Sequence, residues 1–229
     1  MSDGFAWLHD ELHDPGFILQ MVRGVGVGEL AEMLGADPGI DVMEPEAFNR
    51  TLRQSGYSVP DWARLGVHGG WAFAFHGGSD GFHTQRPDHV KHLWEGRTCL
   101  GVQDNGGDPP VVWAVVDGTL DWQYFWGEVH ETIRADHPLT RRMVAEIGLG
   151  TLDPDEDPEE EVLYIPPMED VYRLVGEHYG VSLPRRRILD EGLAGVFTSP
   201  RVYASGEPNG RYGNLVFDDG AQEGRTPGG

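Results

Sequence analysis

The alternation of apolar and polar positions divides the chain into short elements. Phe17–Arg23 is apolar, partly β-branched and closed by Gly24, and it reads as a strand. In Gly28–Gly35 the apolar residues Leu30, Met33 and Leu34 fall at i, i+3 and i+4, which predicts a short amphipathic helix with Glu29 in its first turn. Residues 39–43 read as a short strand, and Pro45–Gln54 as a helix with proline at its start. Gly70–His76 carries the strongest strand pattern, with Trp71, Phe73 and Phe75 on one face and Ala72, Ala74 and His76 on the other. One or two helical turns follow over 88–95, then a strand over 97–103 and a turn at 104–108.

Val111–Val116 and Thr119–Trp126 flank Asp117-Gly118, a pair that favours a two-residue type I′ hairpin turn. An unbroken register from that turn pairs Trp113 with Trp122. It places Val111, Trp113, Val115, Leu120, Trp122 and Tyr124 on one face, with Trp126 a further candidate there, and Asp121 and Gln123 on a wetter one. Helices are predicted over 138–148, 167–179 and 185–195. The fold class is therefore α+β, with a central antiparallel sheet of about five or six strands, flanking helices and a C-terminal helix pair. The expected organisation is a sheet domain over 1–150, an acidic linker over 151–163, a helical extension packed on the same domain over 164–203, and a loose tail over 204–229.

Charge changes the picture next. The 229 residues include 38 acids against 17 bases, a formal net charge of −21. Such a chain repels nucleic acid and anionic membrane and attracts basic proteins, so neither direct nucleic-acid binding nor membrane binding is expected. Seven acids lie within Asp153–Glu161, where self-repulsion and two prolines predict an exposed loop. Arg185-Arg-Arg187 is the one dense basic cluster, at the helix end the macrodipole favours least; its expected counterparts are the acids of 153–161 or Glu177. The lone Cys99 excludes an intramolecular disulfide. No run is long and apolar enough to span a membrane, and the first residues lack the basic and apolar regions of a secretory signal. The expected location is the cytoplasm.

Candidate chemistry is sparse. Gly24-Val-Gly-Val-Gly28 joins a strand to a helix, but Glu29 stands where a phosphate-binding glycine is needed. His9 and His13 share a helical spacing without the pattern of a zincin, and His89 and His92 could join His83 or His76, yet no cysteine pairs support a site. No metal and no cofactor is expected. Cys99 lies in a strand, where a thiol is buried and inert, and no G-x-S-x-G elbow is present.

Several of these segments together resemble an uncharacterised actinobacterial family, a domain of unknown function. The resemblance rests on Trp7, Val22-Arg-Gly24 and Leu34-Gly-Ala-Asp37; on Gly69-Gly-Trp-Ala-Phe-Ala-Phe75; on Gly96–Val102 and the Asp117-Gly118 hairpin; and on Val144–Leu149, Tyr172–Val181 and Ile188–Leu193. It departs at His76, where the family pattern often carries an acid. The resemblance implies no activity and carries over no catalytic residue. In class the chain is also similar to small acidic α+β proteins that act as immunity or partner-binding modules. The expected function is a non-catalytic binding protein whose acidic residues Asp155, Glu156, Asp157, Glu159 and Glu160 meet a basic protein. The alternative is a small-ligand-binding protein or hydrolytic enzyme with a pocket near the Trp71 strand and the His76–His89 loop, using Trp71, His76, His83 and Arg97.

Overall fold

Seven antiparallel strands form one sheet in the order β6-β5-β4-β1-β3-β2-β7. In chain order these are β1 (Phe17–Arg23), β2 (Trp62–His68), β3 (Trp71–Gly77), β4 (Cys99–Asp104), β5 (Val111–Val116), β6 (Thr119–Phe125) and β7 (Ala194–Phe197). The helices are α1 (Trp7–Leu12), α2 (Val27–Met33), α3 (Pro45–Gln54), α4 (Pro138–Ile147), α5 (Met168–Tyr179) and α6 (Arg185–Leu189). This computed structural model describes residues 4–12, 16–34, 36, 42–54, 62–77, 95–104, 109–126, 136–150 and 164–197. The predicted strand over 39–43 and helix over 88–95, the acidic stretch and the tail fall outside those residues, apart from Val42, Met43 and Glu95; Met43 makes an isolated bridge to Gly195.

The α+β class holds, and two of the seven strands, β2 and β7, were not disclosed by the hydrophobic pattern. β2 carries Arg64, Gly66 and His68 between its apolar positions, which blurs its period. β7 lies inside the segment expected to be helical. The helix starting at Arg185 stops at Leu189, Glu191 adopts a positive φ of 55°, and the chain turns into a strand that pairs with β2. The C-terminal segment thus closes one edge of the sheet as well as supplying helices.

The two faces of the sheet differ. Phe17, Leu19 and Met21 of β1, Trp71, Phe73 and Phe75 of β3, and Leu100 and Val102 of β4 pack against α1, α4 and α5 through Trp7, Leu8, Leu139, Met143, Val171, Tyr172 and Val175. The opposite face is built from smaller residues, including Ala63, Ala72, Ala74 and Cys99, and carries Leu30 and Ala31 of α2. The alternation read from Gly70–His76 is therefore the real division between the layers. Trp113 supplies bulk on the α2 side by lying over Gly101, its pairing partner on β4. A Cβ built on Gly101 would stand 2.1 Å from the indole, so only glycine fits beneath the ring.

The hairpin departs from the expected register at one point. Asp117 and Gly118 have φ of 50° and 79°, as a type I′ turn requires, and Val116 pairs with Thr119 and Val115 with Leu120. The next pair is Ala114 with Trp122, leaving Asp121 as an extra residue in a β-bulge. Beyond it Trp122 and Tyr124 turn to the helical face, while Trp113 faces α2. The expected single face containing both tryptophans is corrected accordingly. Trp122 is fully buried, and its indole N–H donates to Thr140 Oγ1 of α4 at 3.0 Å.

Candidate functional site

The bulge sets Asp121 and Trp122 side by side. Asp121, next to the α2-facing Leu120, directs its carboxylate to the helical side, and the skipped position turns Trp122 to that side as well. Three groups converge there from separate elements. His137 is the N-cap of α4, and its Nδ1 accepts a hydrogen bond from the Leu139 backbone N–H at 3.2 Å. That bond leaves the ring proton on Nε2, which lies 3.3 Å from Asp121 Oδ2 and donates to it. Tyr179, in the last turn of α5, donates its hydroxyl to the same oxygen at 2.9 Å. His178 precedes it, and the His137 and His178 rings meet edge to face with centroids 5.4 Å apart.

The elements are placed by the core. Pro138 supplies the fixed φ suited to a first helical turn, and Gly148 ends α4 in the left-handed conformation with φ of 69°. Leu139 and Met143 anchor α4, and Val171, Tyr172 and Val175 anchor α5, so the ends of both helices come to rest over β6. His137 is almost wholly buried, Asp121 is partly open with 29% of its side chain exposed, and His178 is exposed. Burial pushes the Tyr179 hydroxyl above its ordinary range, reinforced by its bond to Asp121, so it stays a proton donor. Burial also lowers the pKa of His178, helped by His137 and Arg142 and opposed by Asp121. Asp121, His137 and His178 bring ligand-type atoms within 4.8 Å of one another, and these three could hold a metal ion.

A second group repeats the chemistry at the inner end of the sheet. Asp104, at the end of β4, is fully buried; His9 Nδ1 of α1 lies 3.0 Å from its Oδ2, and Tyr172 of α5 donates to the same oxygen at 3.1 Å. Tyr172 and Tyr179 are seven residues apart, two turns of α5, and so lie on one side of it.

The residues singled out from the sequence are dispersed. Trp71 is 1% exposed in the core, with the Arg23 guanidinium 5.9 Å from its ring centroid. His76 lies on the opposite face of the same strand, about 17 Å further along at ~3.3 Å per residue. Arg97 pairs with Glu29 of α2 at 3.0 Å, on the face away from the Trp71 ring. The structure thus does not bring Trp71, His76 and Arg97 together, and His83 lies outside the described residues. So do Asp155, Glu156, Asp157, Glu159 and Glu160, with His13, His89 and His92. His9 is committed to Asp104. Cys99 is buried facing α2, and burial pushes its thiol up to about 12 against the pull of Arg97, as an unreactive thiol requires. Arg185 pairs with Glu11 of α1 and Arg187 donates to the Gly192 carbonyl at 3.0 Å, whereas Glu177 is taken by Arg142 and Arg173. The expected pairing of the basic cluster with Glu177 is corrected on that ground.

Comparison with protein-family models, with curated proteins and with solved structures yields no match.

Proposed function

We propose that this chain is a cytoplasmic, non-catalytic binding protein that presents an acidic surface to a basic protein partner. The observation that carries this reading is how the described cations are used. Arg142 and Arg173 share Glu146, Asp170 and Glu177; Arg97 pairs with Glu29, Arg64 with Glu191 and Arg185 with Glu11. Much of the limited positive charge is already matched locally, and in the Arg142–Arg173 group three carboxylates surround two guanidiniums. Among the described residues Glu32, Glu44, Glu46, Glu169 and Asp190 add exposed carboxylates, and the full chain carries a net charge of −21. A surface of this kind accelerates encounter with a basic protein and rejects polyanions. Among the described residues no helix is long and apolar enough to cross a membrane.

The test is capture on the immobilised full chain at low salt, followed by titration of the purified captured protein over a range of salt. The reading expects a basic partner whose association rate falls steeply with salt. It also expects slower association when Asp155, Glu156, Asp157, Glu159 and Glu160 are changed to Asn or Gln. Retention of no protein at low salt, or binding indifferent to both salt and neutralisation, would overturn it.

A further inference from the structure

We propose that Asp121, His137 and His178 form a binding site for a divalent transition-metal ion of the zinc type. Three observations carry this independently of the acidic surface.

The first is convergence. The three ligand-type atoms lie within 4.8 Å of one another and come from the bulge of β6, the N-cap of α4 and the last turn of α5. Ligands at about 2.0–2.1 Å from a tetrahedral ion stand ~3.3 Å apart, so modest side-chain rotation closes the set. Two imidazoles and one carboxylate suit zinc and its neighbours; calcium and magnesium prefer all-oxygen sets.

The second is the supporting shell. Tyr179 donates to Asp121 Oδ2 and fixes the carboxylate, leaving Oδ1 free to face an ion.

The third is access. Asp121 is partly exposed and His178 is exposed, so an ion reaches the site from solvent and keeps water in its remaining positions. In the companion group the carboxylate of Asp104 is fully buried, and among the described residues the histidine that reaches it is His9.

The geometry makes a specific demand on His137. Its Nε2 carries the proton while Nδ1 accepts from Leu139 N–H. An ion taking the Nε2 lone pair displaces that proton, and a neutral ring must then carry it on Nδ1. Two N–H groups would face each other, so the Leu139 bond opens and α4 loses its side-chain cap. Metal and helix cap therefore compete for one imidazole.

The experiment titrates Zn²⁺ into the untagged full chain against a competing chelator and follows the Leu139 amide resonance by NMR. One ion per chain is expected, with a large shift of the Leu139 amide on saturation. His178→Ala, a change at an exposed position, and Asp121→Asn should each weaken binding at least tenfold, whereas His9→Ala should not. Equal zinc affinity in the parent and His178→Ala chains, failure of the parent to bind zinc, or an unmoved Leu139 amide would each overturn the proposal. These outcomes are separate from the capture of a basic protein, which does not involve the ion.

Discussion

His76 provides a direct test of how the sheet is buried. It ends the apolar run of β3 on the α2 side, between Ala63 of β2 and Ile18 of β1. Its Nε2 is shut off from solvent without a hydrogen-bond partner among the described residues. Burial lowers its pKa from 6.5 to about 4, so the folded protein holds the ring neutral while an unfolded chain protonates it near 6.5. Between those values the unfolded state binds more protons. Stability is therefore complete above about pH 6.5 and is lost as pH falls towards 4. For one such group the loss between about pH 7.5 and about pH 5 is roughly 2 kcal/mol. His76→Phe removes the titration and keeps a ring of similar size. Urea denaturation of both proteins across that pH range isolates the effect, because every other group titrates in both. The variant should gain about 2 kcal/mol relative to the parent on going to pH 5. A difference constant to within about 0.5 kcal/mol would show that the ring is solvated and that the placement of β3 is wrong.

Other expectations follow from the same packing. Gly101→Ala should destabilise by about 1–3 kcal/mol in chemical denaturation, because the added methyl meets the Trp113 ring; a neutral result would place the indole elsewhere. Thr140→Val should cost about 1–3 kcal/mol by leaving the buried Trp122 N–H without its acceptor, as read from urea unfolding midpoints. Deleting Asp121 removes the bulge but leaves Val115–Leu120, Ala114–Trp122 and Trp113–Gln123 as a regular ladder, so near-UV circular dichroism should keep the packing signal of Trp122 and Tyr124, as it should for Asp121→Ala; loss of that signal in the deletion would refute the register.

How much of this was legible depends on whether a feature is local. Gly70–His76 shows its two faces because every second residue changes in size, and Asp117-Gly118 announces its turn because few other pairs tolerate two positive φ values. The bulge left no such mark. The run Thr119–Trp126 reads equally well with or without a skipped residue, and only the demand that Trp122 pack under Thr140 selects the shifted register. β7 was hidden for a related reason, since Leu189, Leu193 and Val196 also suit a helical stripe. The turn at Glu191 that ends that stripe has Gly192 after it as its sole hint. The candidate site was the least legible feature. Asp121, His137 and His178 are spread over 58 positions with no repeated spacing, so the histidines close in sequence drew attention instead.

The two Asp–His–Tyr groups show why residue type alone does not define a site. Both link a strand of the same sheet to α5 through a tyrosine hydroxyl and a carboxylate, and both add a histidine from a third element. At Asp104 the strand is regular, its register with Phe17 is kept, and the carboxylate is wholly enclosed. Enclosure makes every donor to it a condition of folding, because a buried carboxylate left short of partners is costly. Tyr172 is accordingly held far above its ordinary titration range by burial, with the nearby Asp104 charge adding to it. At Asp121 the strand is interrupted, the carboxylate is lifted out of the ladder, and nearly a third of it meets water. The same three side chains then have a free oxygen, a second histidine and a path to solvent. The inserted residue in β6 is thus what distinguishes a tie within the core from a group available to bind.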